Sequence, residues 1–431
     1  MSIELFITRR LAFSKDRSFS RFVVRIAIAA VALSIAVMIV STSFVSGFQN
    51  EISGKIYGFW GHIFITKFGF GRSYEDNSQI SGNKINWQFL KSMPNIDRIQ
   101  PFAYKPGIIK TNDQIEGIVL KGIDRNYNWT FLKSKLVAGT VINFADTEFS
   151  RDLLISKVTA SRLRLHAGDK VDVNFLQRDA PPLVRRMRIC GIYNTGLEEY
   201  DVLYALVDIR MIQGLNKWQP DEVSGYEVFL KKYERNDILA FLKESLHLPI
   251  SAEQADPIIA DNDTIYYKAL APELSAQTVQ DANPNIFDWL ALQNTNKWVI
   301  LALMLIVATI NMITCLLILI LERTNMIGTL KALGARNWSI RLIFIYNAVY
   351  IISLGMFFGN VLGIGICLVQ QHFHLLKLPE ESYYVSVAPV DLNWWVVLGI
   401  NIGTLLICFL VLLIPSWLVS RISPVKAIRF N

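Results

Sequence analysis

Four apolar runs without a single charged side chain stand out along the chain: Ile26–Gly47, Trp298–Leu321, Leu342–Val369 and Trp394–Leu418. At 1.5 Å per helical residue, each is long enough to cross a hydrocarbon layer of about 30 Å. The stretch between the first and second runs has a different texture. Short β-rich segments (Ile115–Leu120, Lys170–Leu176, Arg186–Tyr193, Tyr226–Leu230) alternate there with helix-period segments (Lys84–Met93, Lys157–Leu165, Asp237–Leu246). The pattern predicts an α-helical membrane protein with four transmembrane helices plus a large α+β domain inserted between helices 1 and 2. Expected boundaries are spans at 23–47, 297–321, 342–369 and 394–418, a domain at 48–296, connections at 322–341 and 370–393, and terminal segments 1–22 and 419–431.

Composition agrees with a chain that is part membrane and part water-exposed: 52% of residues are hydrophobic and only 18% charged. A soluble enzyme and a secreted domain are both excluded. The net charge of +7 is unevenly placed, with +4 on residues 1–25, +3 on 322–341 and +3 beyond 418, against −2 on 48–296 and −2 on 370–393. Basic segments alternate with acidic ones across the spans, so the excess reports topology rather than nucleic-acid binding. Both termini and the 322–341 connection are expected in the cytoplasm, and the large domain outside.

The first apolar run is too long for the core of a cleaved signal peptide and reads as a retained anchor. The segment before it, with Ile3, Phe6, Ile7 and Leu11 against Arg9, Arg10 and Lys15, fits both an interfacial helix and a basic flank that only sets orientation. Cys315, Cys367 and Cys408 lie within spans and Cys190 alone in the large domain, which therefore needs no internal disulfide.

Candidate chemistry is sparse. The sequence has no phosphate-binding P-loop, no H-E-x-x-H and no C-x-x-C. His372 and His374, near Glu380 and Glu381, are read as an interfacial pair rather than metal ligands, so no metal, no cofactor and no catalytic residue is assigned to this chain. Gly355, Gly359 and Gly363 form a small-residue stripe at spacing four, suited to close helix packing. Asn311, Asn347, Asn360 and Asn401 fall within spans, where amides commonly bond across helices. In the connection, Met326, Ile327, Leu330 and Leu333 place an apolar stripe on a short helix that Gly334 would stop. That stripe fits burial against the inner leaflet and insertion into a cytosolic partner equally well.

Several segments resemble the LolC/LolE-type lipoprotein-releasing permeases of the FtsX/MacB-like group of ABC transporters. They are Ser46-Gly47-Phe48 with Gly58-Phe-Trp-Gly-His62-Ile63; Asn311 through Glu322-Arg323 to Leu330-Lys-Ala-Leu-Gly-Ala335; Leu378-Pro379, Tyr383-Tyr384 and Pro389-Val390; and Pro415 with Ser423-Pro424-Val425-Lys-Ala-Ile-Arg429. Within the domain, Gly122-Ile-Asp124, Gly168-Asp-Lys170 and the run from Gly191-Ile192 to Glu199-Tyr-Asp201 fit the same pattern.

The resemblance implies a bacterial inner-membrane subunit that moves substrate on the energy of a separate ATPase. Its partners would be two copies of a cytosolic ATPase, which hold the ATP and Mg, a second permease chain, membrane lipid and a lipoprotein substrate. Mapped onto this sequence, Glu322, Arg323, Met326, Ile327, Leu330, Lys331, Leu333 and Gly334 would meet the ATPase. Met38, Phe44, Phe48 and Met304 would hold acyl chains. One subunit type of the family captures a periplasmic chaperone on a long hook; the matching turn here, Gln177–Leu183, is short and offers Arg178, Pro181 and Pro182. The Glu198–Asp201 region resembles the hookless type. Rival readings are an FtsX-like transmitter that controls cell-wall hydrolases, a MacB-like efflux permease, and a membrane-bound enzyme; domain size, the absence of a fused ATPase and the absence of a catalytic constellation weigh against them in turn.

Overall fold

The computed structural model describes residues 19–68, 79–111, 114–144, 149–176, 181–231 and 257–416. The N-terminal segment before residue 19, the patch Asp237–Leu246, Arg178 and the Ser423–Arg429 motif lie outside the described residues. In chain order the elements are α1 (Phe19–Trp60), β1 (Ile63–Lys67), β2 (Ile80–Ser81), α2 (Trp87–Ser92), β3 (Ile96–Lys110), β4 (Ile115–Ile123), α3 (Thr130–Ser134) and β5 (Leu136–Gly139). There follow β6 (Asp152–Ser156), α4 (Lys157–Leu163), β7 (Lys170–Phe175), β8 (Leu183–Tyr193), α5 (Glu198–Leu203), β9 (Tyr204–Asp208), α6 (Ile209–Asn216), β10 (Glu222–Val223) and β11 (Gly225–Leu230). The last are α7 (Pro257–Ala269), β12 (Leu274–Thr278), α8 (Val279–Ala282), α9 (Pro284–Glu322), α10 (Thr324–Ala332), α11 (Asn337–Phe373), α12 (Glu380–Tyr383) and α13 (Trp394–Ser416).

Four helices, α1, α9, α11 and α13, are long and apolar enough to cross a membrane, and the α+β domain sits between the first two, as the pattern predicts. Two of them overrun their apolar runs on the domain side. α1 continues past Gly47 to Trp60, and its 42 residues span about 63 Å. Polar Gln49, Asn50, Glu51 and Lys55 end the apolar run, yet Ile52, Ile56 and Phe59 keep a helical period and are fully buried. α9 starts at Pro284, well ahead of Trp298, with Ile286 and Leu290 buried on one face; proline at the first turn costs no hydrogen bond.

The inserted domain is built on a sheet in the order β12-β1-β11-β3-β4-β9-β6-β8-β5, with β7 bridging β3 and β8. β4 with β9 and β6 with β8 run parallel; the other pairs are antiparallel. β3 carries Pro101 and Pro106, which hide a 15-residue strand from a propensity reading. Pro106 stands between the stretches of β3 that pair with β11 and with β7, where one side of the strand has no neighbour to bond.

Because side chains alternate across a sheet, its two faces feed two cores. Ile63, Ile65, Ile118, Leu120, Ala205 and Val207 point into a core closed by the small helices of the domain. Val119, Ile123, Leu154, Tyr204 and Leu206 point the other way, onto Ile52, Ile56, Phe59 and Trp60 of α1 and Ile286 and Leu290 of α9. A third core lies among the membrane helices, with Val31, Ile35, Ile39, Met312, Leu316, Phe344 and Ile351. The two overrunning helices thus belong to the membrane core at one end and to the sheet at the other.

Candidate functional site

The connection between α9 and α11 folds as α10, closed by a Schellman turn. Ala335 donates to Leu330 O and Gly334 to Lys331 O, both at 3.0 Å, and Gly334 takes φ +88°. Ile327 is fully buried and Met326 and Leu330 are half-buried, all packed on the membrane-helix core. Leu333 does not follow them. Its N–H still donates to Thr329 O at 3.0 Å, but the buried side of α10 is centred on Ile327 and Gly328, and Leu333, about 120° round the helix from Ile327, stands 80% exposed. Glu322 and Gly334 are exposed, Arg323 and Lys331 half-buried. Leu321 and Trp338 are also exposed apolar residues on this side of the helices.

At the opposite end of the spans, α1 is gripped by both the domain and the α11–α13 connection. A side chain at Gly47 would run into the Pro389–Val390 backbone, and one at Gly58 into the Phe131 ring of α3. Lys55 Nζ donates to Tyr384 O at 2.7 Å, Asn50 donates to Asp391, and Gln49 donates to Leu290 O of α9 at 3.2 Å. A cavity of about 360 Å³ lies at this junction, lined among others by Glu51, Lys55, Lys135, Gln370, His374 and Glu380. The Thr195–Gly196 turn beside it is held by Asp201, whose carboxylate accepts from Thr195 N, Thr195 Oγ1 and Gly196 N at 2.8–3.2 Å. Burial pushes Asp201 up to about 6 against the pull of those donors.

Within the spans, Gly355, Gly359 and Gly363 line the face of α11 that meets α1; added Cβ atoms would fall 2.7–3.1 Å from Val31, Ala32 and Ala36. Asn360 and Asn401 exchange reciprocal amide hydrogen bonds at 2.8 and 2.9 Å between α11 and α13. Val299, Leu303, Ile306 and Ile310 form an exposed stripe at helical spacing on α9.

A family model of the FtsX-like permease C-terminal region matches residues 298–424, and one of the MacB-like periplasmic core domain matches residues 26–233. The lipoprotein-releasing system transmembrane protein LolC of Neisseria meningitidis serogroup B is 24% identical, with 100% of each chain covered. LolE of Haemophilus influenzae is 21% identical over 99% of each. Along its whole length the chain is similar to the LolC/LolE type of permease. Among solved structures, the periplasmic region of MacB from Actinobacillus actinomycetemcomitans covers 52% of this chain and 92% of its own, at 12% identity and a TM-score of 0.31.

The LolC/LolE-type site residues named from the sequence are dispersed. Met38 is 3% exposed, enclosed in the helix core, whereas Phe44, Phe48 and Met304 are half-buried. Pro181 and Pro182 are exposed where the chain enters β8. Sequence reading missed Trp338, although a lone tryptophan in a basic connection was a usable signal. It also missed an arginine-lined depression of about 710 Å³ formed by Arg151, Arg185, Arg186 and Arg210 with Phe149, Val184 and Met187. No sequence signal joined those arginines, which come from three separate segments. Among the described residues, no group of three or more His, Cys, Asp or Glu side chains could hold a metal ion.

Proposed function

We propose that this chain is the permease subunit of an ABC-type lipoprotein-releasing complex of the bacterial inner membrane. It converts nucleotide-driven motion of a separate ATPase into extraction of lipoproteins bound for the outer membrane. The observation that carries this reading is the pair of helices α1 and α9, each continuous from the membrane core into the sheet-facing core and together bracketing the inserted domain. In this reading two ATPase copies, which bind the ATP and Mg, dock at Glu322–Gly334, and Leu333 and Trp338 are the exposed apolar contacts. A second permease chain covers part of the exposed helix faces. The acyl chains of the substrate lie against Phe44, Phe48 and Met304. Moving those chains into water costs about 0.8 kcal/mol per CH₂, so a soluble chaperone can collect the lipoprotein only from an apolar chamber that the ATPase opens and closes. The Pro181–Pro182 turn and the neighbouring arginines offer that chaperone a surface.

The test is a photocrosslinker at Phe48 in the assembled complex. It should capture lipoprotein without ATP and lose it when ATP is added, and depletion of the chain should leave lipoproteins in the inner membrane. Normal lipoprotein sorting after depletion, with a defect in septal wall cleavage, would replace this reading by control of wall hydrolases.

A further inference from the structure

The face of the sheet that receives α1 is mostly apolar, but beside the buried amide of Gln100 it also encloses an ion pair. Lys121 on β4 and Glu227 on β11 both point to that face, and their side chains are 0% and 1% exposed. Their strands flank β3, so the pair reaches across it, with Nζ 2.6 Å from Glu227 Oε1. The same ammonium donates to Phe59 O at 2.8 Å and lies 4.7 Å from the Phe59 ring centre and 4.4 Å from that of Trp60. Phe59 and Trp60 are the last two residues of α1. A helix end leaves its final carbonyls without intrahelical donors and carries partial negative charge, so a buried cation there fits the local field. The chain then turns at Gly61, with φ +77°, directly into β1, where Phe64 stands opposite Glu227 in the register.

We propose that the Lys121–Glu227 pair is the joint that fixes the end of α1 to the sheet, making both positioning residues through which displacement of the first span reaches the inserted domain. The proposal rests on the reading that α1 carries motion to that domain. An apolar contact can slide, because one methyl replaces another at little cost. The ammonium cannot: withdrawing α1 would strip it of a carbonyl and two ring faces while it stays out of reach of water. A buried ion pair adds little net stability compared with packed hydrocarbon, so its worth here is in fixing geometry. Burial pushes Glu227 up and Lys121 down, opposed in each case by the partner charge.

The test uses the full chain in its complex with the ATPase. Spin labels at Gly54→Cys on α1 and Gly117→Cys on β4, where an added side chain meets nothing within 4 Å, report the helix-to-sheet distance. Lys121→Met strands the Glu227 carboxyl and should lower Tm. The double variant Lys121→Met with Glu227→Leu removes both charges and should recover Tm and ATP turnover. With the joint gone, it should still show a distance distribution at least twice as broad as the unsubstituted protein, and at least tenfold less lipoprotein released per ATP. A narrow distribution in a double variant of normal Tm overturns the joint, whatever the release. If the unsubstituted complex releases no lipoprotein, the functional reading fails while the distance arm still decides the joint.

Discussion

Leu333 is 80% exposed and Ile327 is fully buried, although the spacing of the sequence puts both on one stripe of a coupling helix. Their substitutions should therefore part. Leu333→Asp should leave Tm within about 0.5 kcal/mol equivalent of normal and lower ATPase co-purification tenfold or more. Ile327→Asp should cost about 3 kcal/mol or more, because the carboxylate would enter the helix core, and the chain should be lost from the membrane. Equal ATPase recovery with Leu333→Asp would remove this residue from the contact. A second residue, Asp201, makes a prediction in pH. Its folded-state value of about 6 lies above the unfolded carboxylate range near 4, so the folded state binds the proton more tightly. Its contribution is full below about pH 4 and is lost as pH rises through 6. Thermal melts of the full chain in detergent should show Tm falling over that window, with a shallower fall for Asp201→Asn. Glu227, also raised, keeps some slope in the variant. Identical slopes would show that Asp201 is not held as described.

At the scale of elements, Gly359 shows how tightly α11 meets α1. An added Cβ would lie 2.7 Å from Ala32 O and 2.8 Å from Ile35 Cβ, whereas at Gly365 it meets nothing within 4 Å. Gly359→Leu should destabilise the chain by about 1–3 kcal/mol, read as a lower Tm in detergent, while Gly365→Leu should be nearly neutral. The stripe was legible because three glycines at spacing four are a local pattern. The four spans and the strands β4, β7, β8 and β11 were legible for the same reason, since hydrophobic period needs no knowledge of the partner. What was not legible depends on partners. The α1 extension looks like a loop start when Gln49, Asn50, Glu51 and Lys55 are weighed, and becomes helix because Ile52, Ile56 and Phe59 find a sheet face to cover. Met38 looked as available to lipid as any other residue of the first span, and only the packing of the membrane helices into one core buries it. Lys121 and Glu227, 106 positions apart, gave no sign of meeting.

The whole molecule places basic and acidic segments at opposite ends of the same helices. Arg323, Lys331, Arg336 and Arg341 lie in or beside the α9–α11 connection, and the inserted domain and the α11–α13 connection lie together at the other end, joined through Lys55, Asn50 and Gly47. Since lysine and arginine are retained on the cytoplasmic side, the domain should project to the periplasm and α10 into the cytosol. The four native cysteines are all buried, so engineered ones can be read against a quiet background. A thiol reagent that cannot cross the membrane should label cysteine placed at exposed Asn126 or Leu376 in intact spheroplasts, and should label Asn337→Cys only after the membrane is permeabilised. The two connections of α11 make this a stringent test, because that helix runs from Asn337 to Phe373 without a break. Its ends must therefore face opposite compartments. Labelling at 337 together with protection at 376 would invert the protein, and would put the ATPase contact and the chaperone surface on the wrong sides for lipoprotein release.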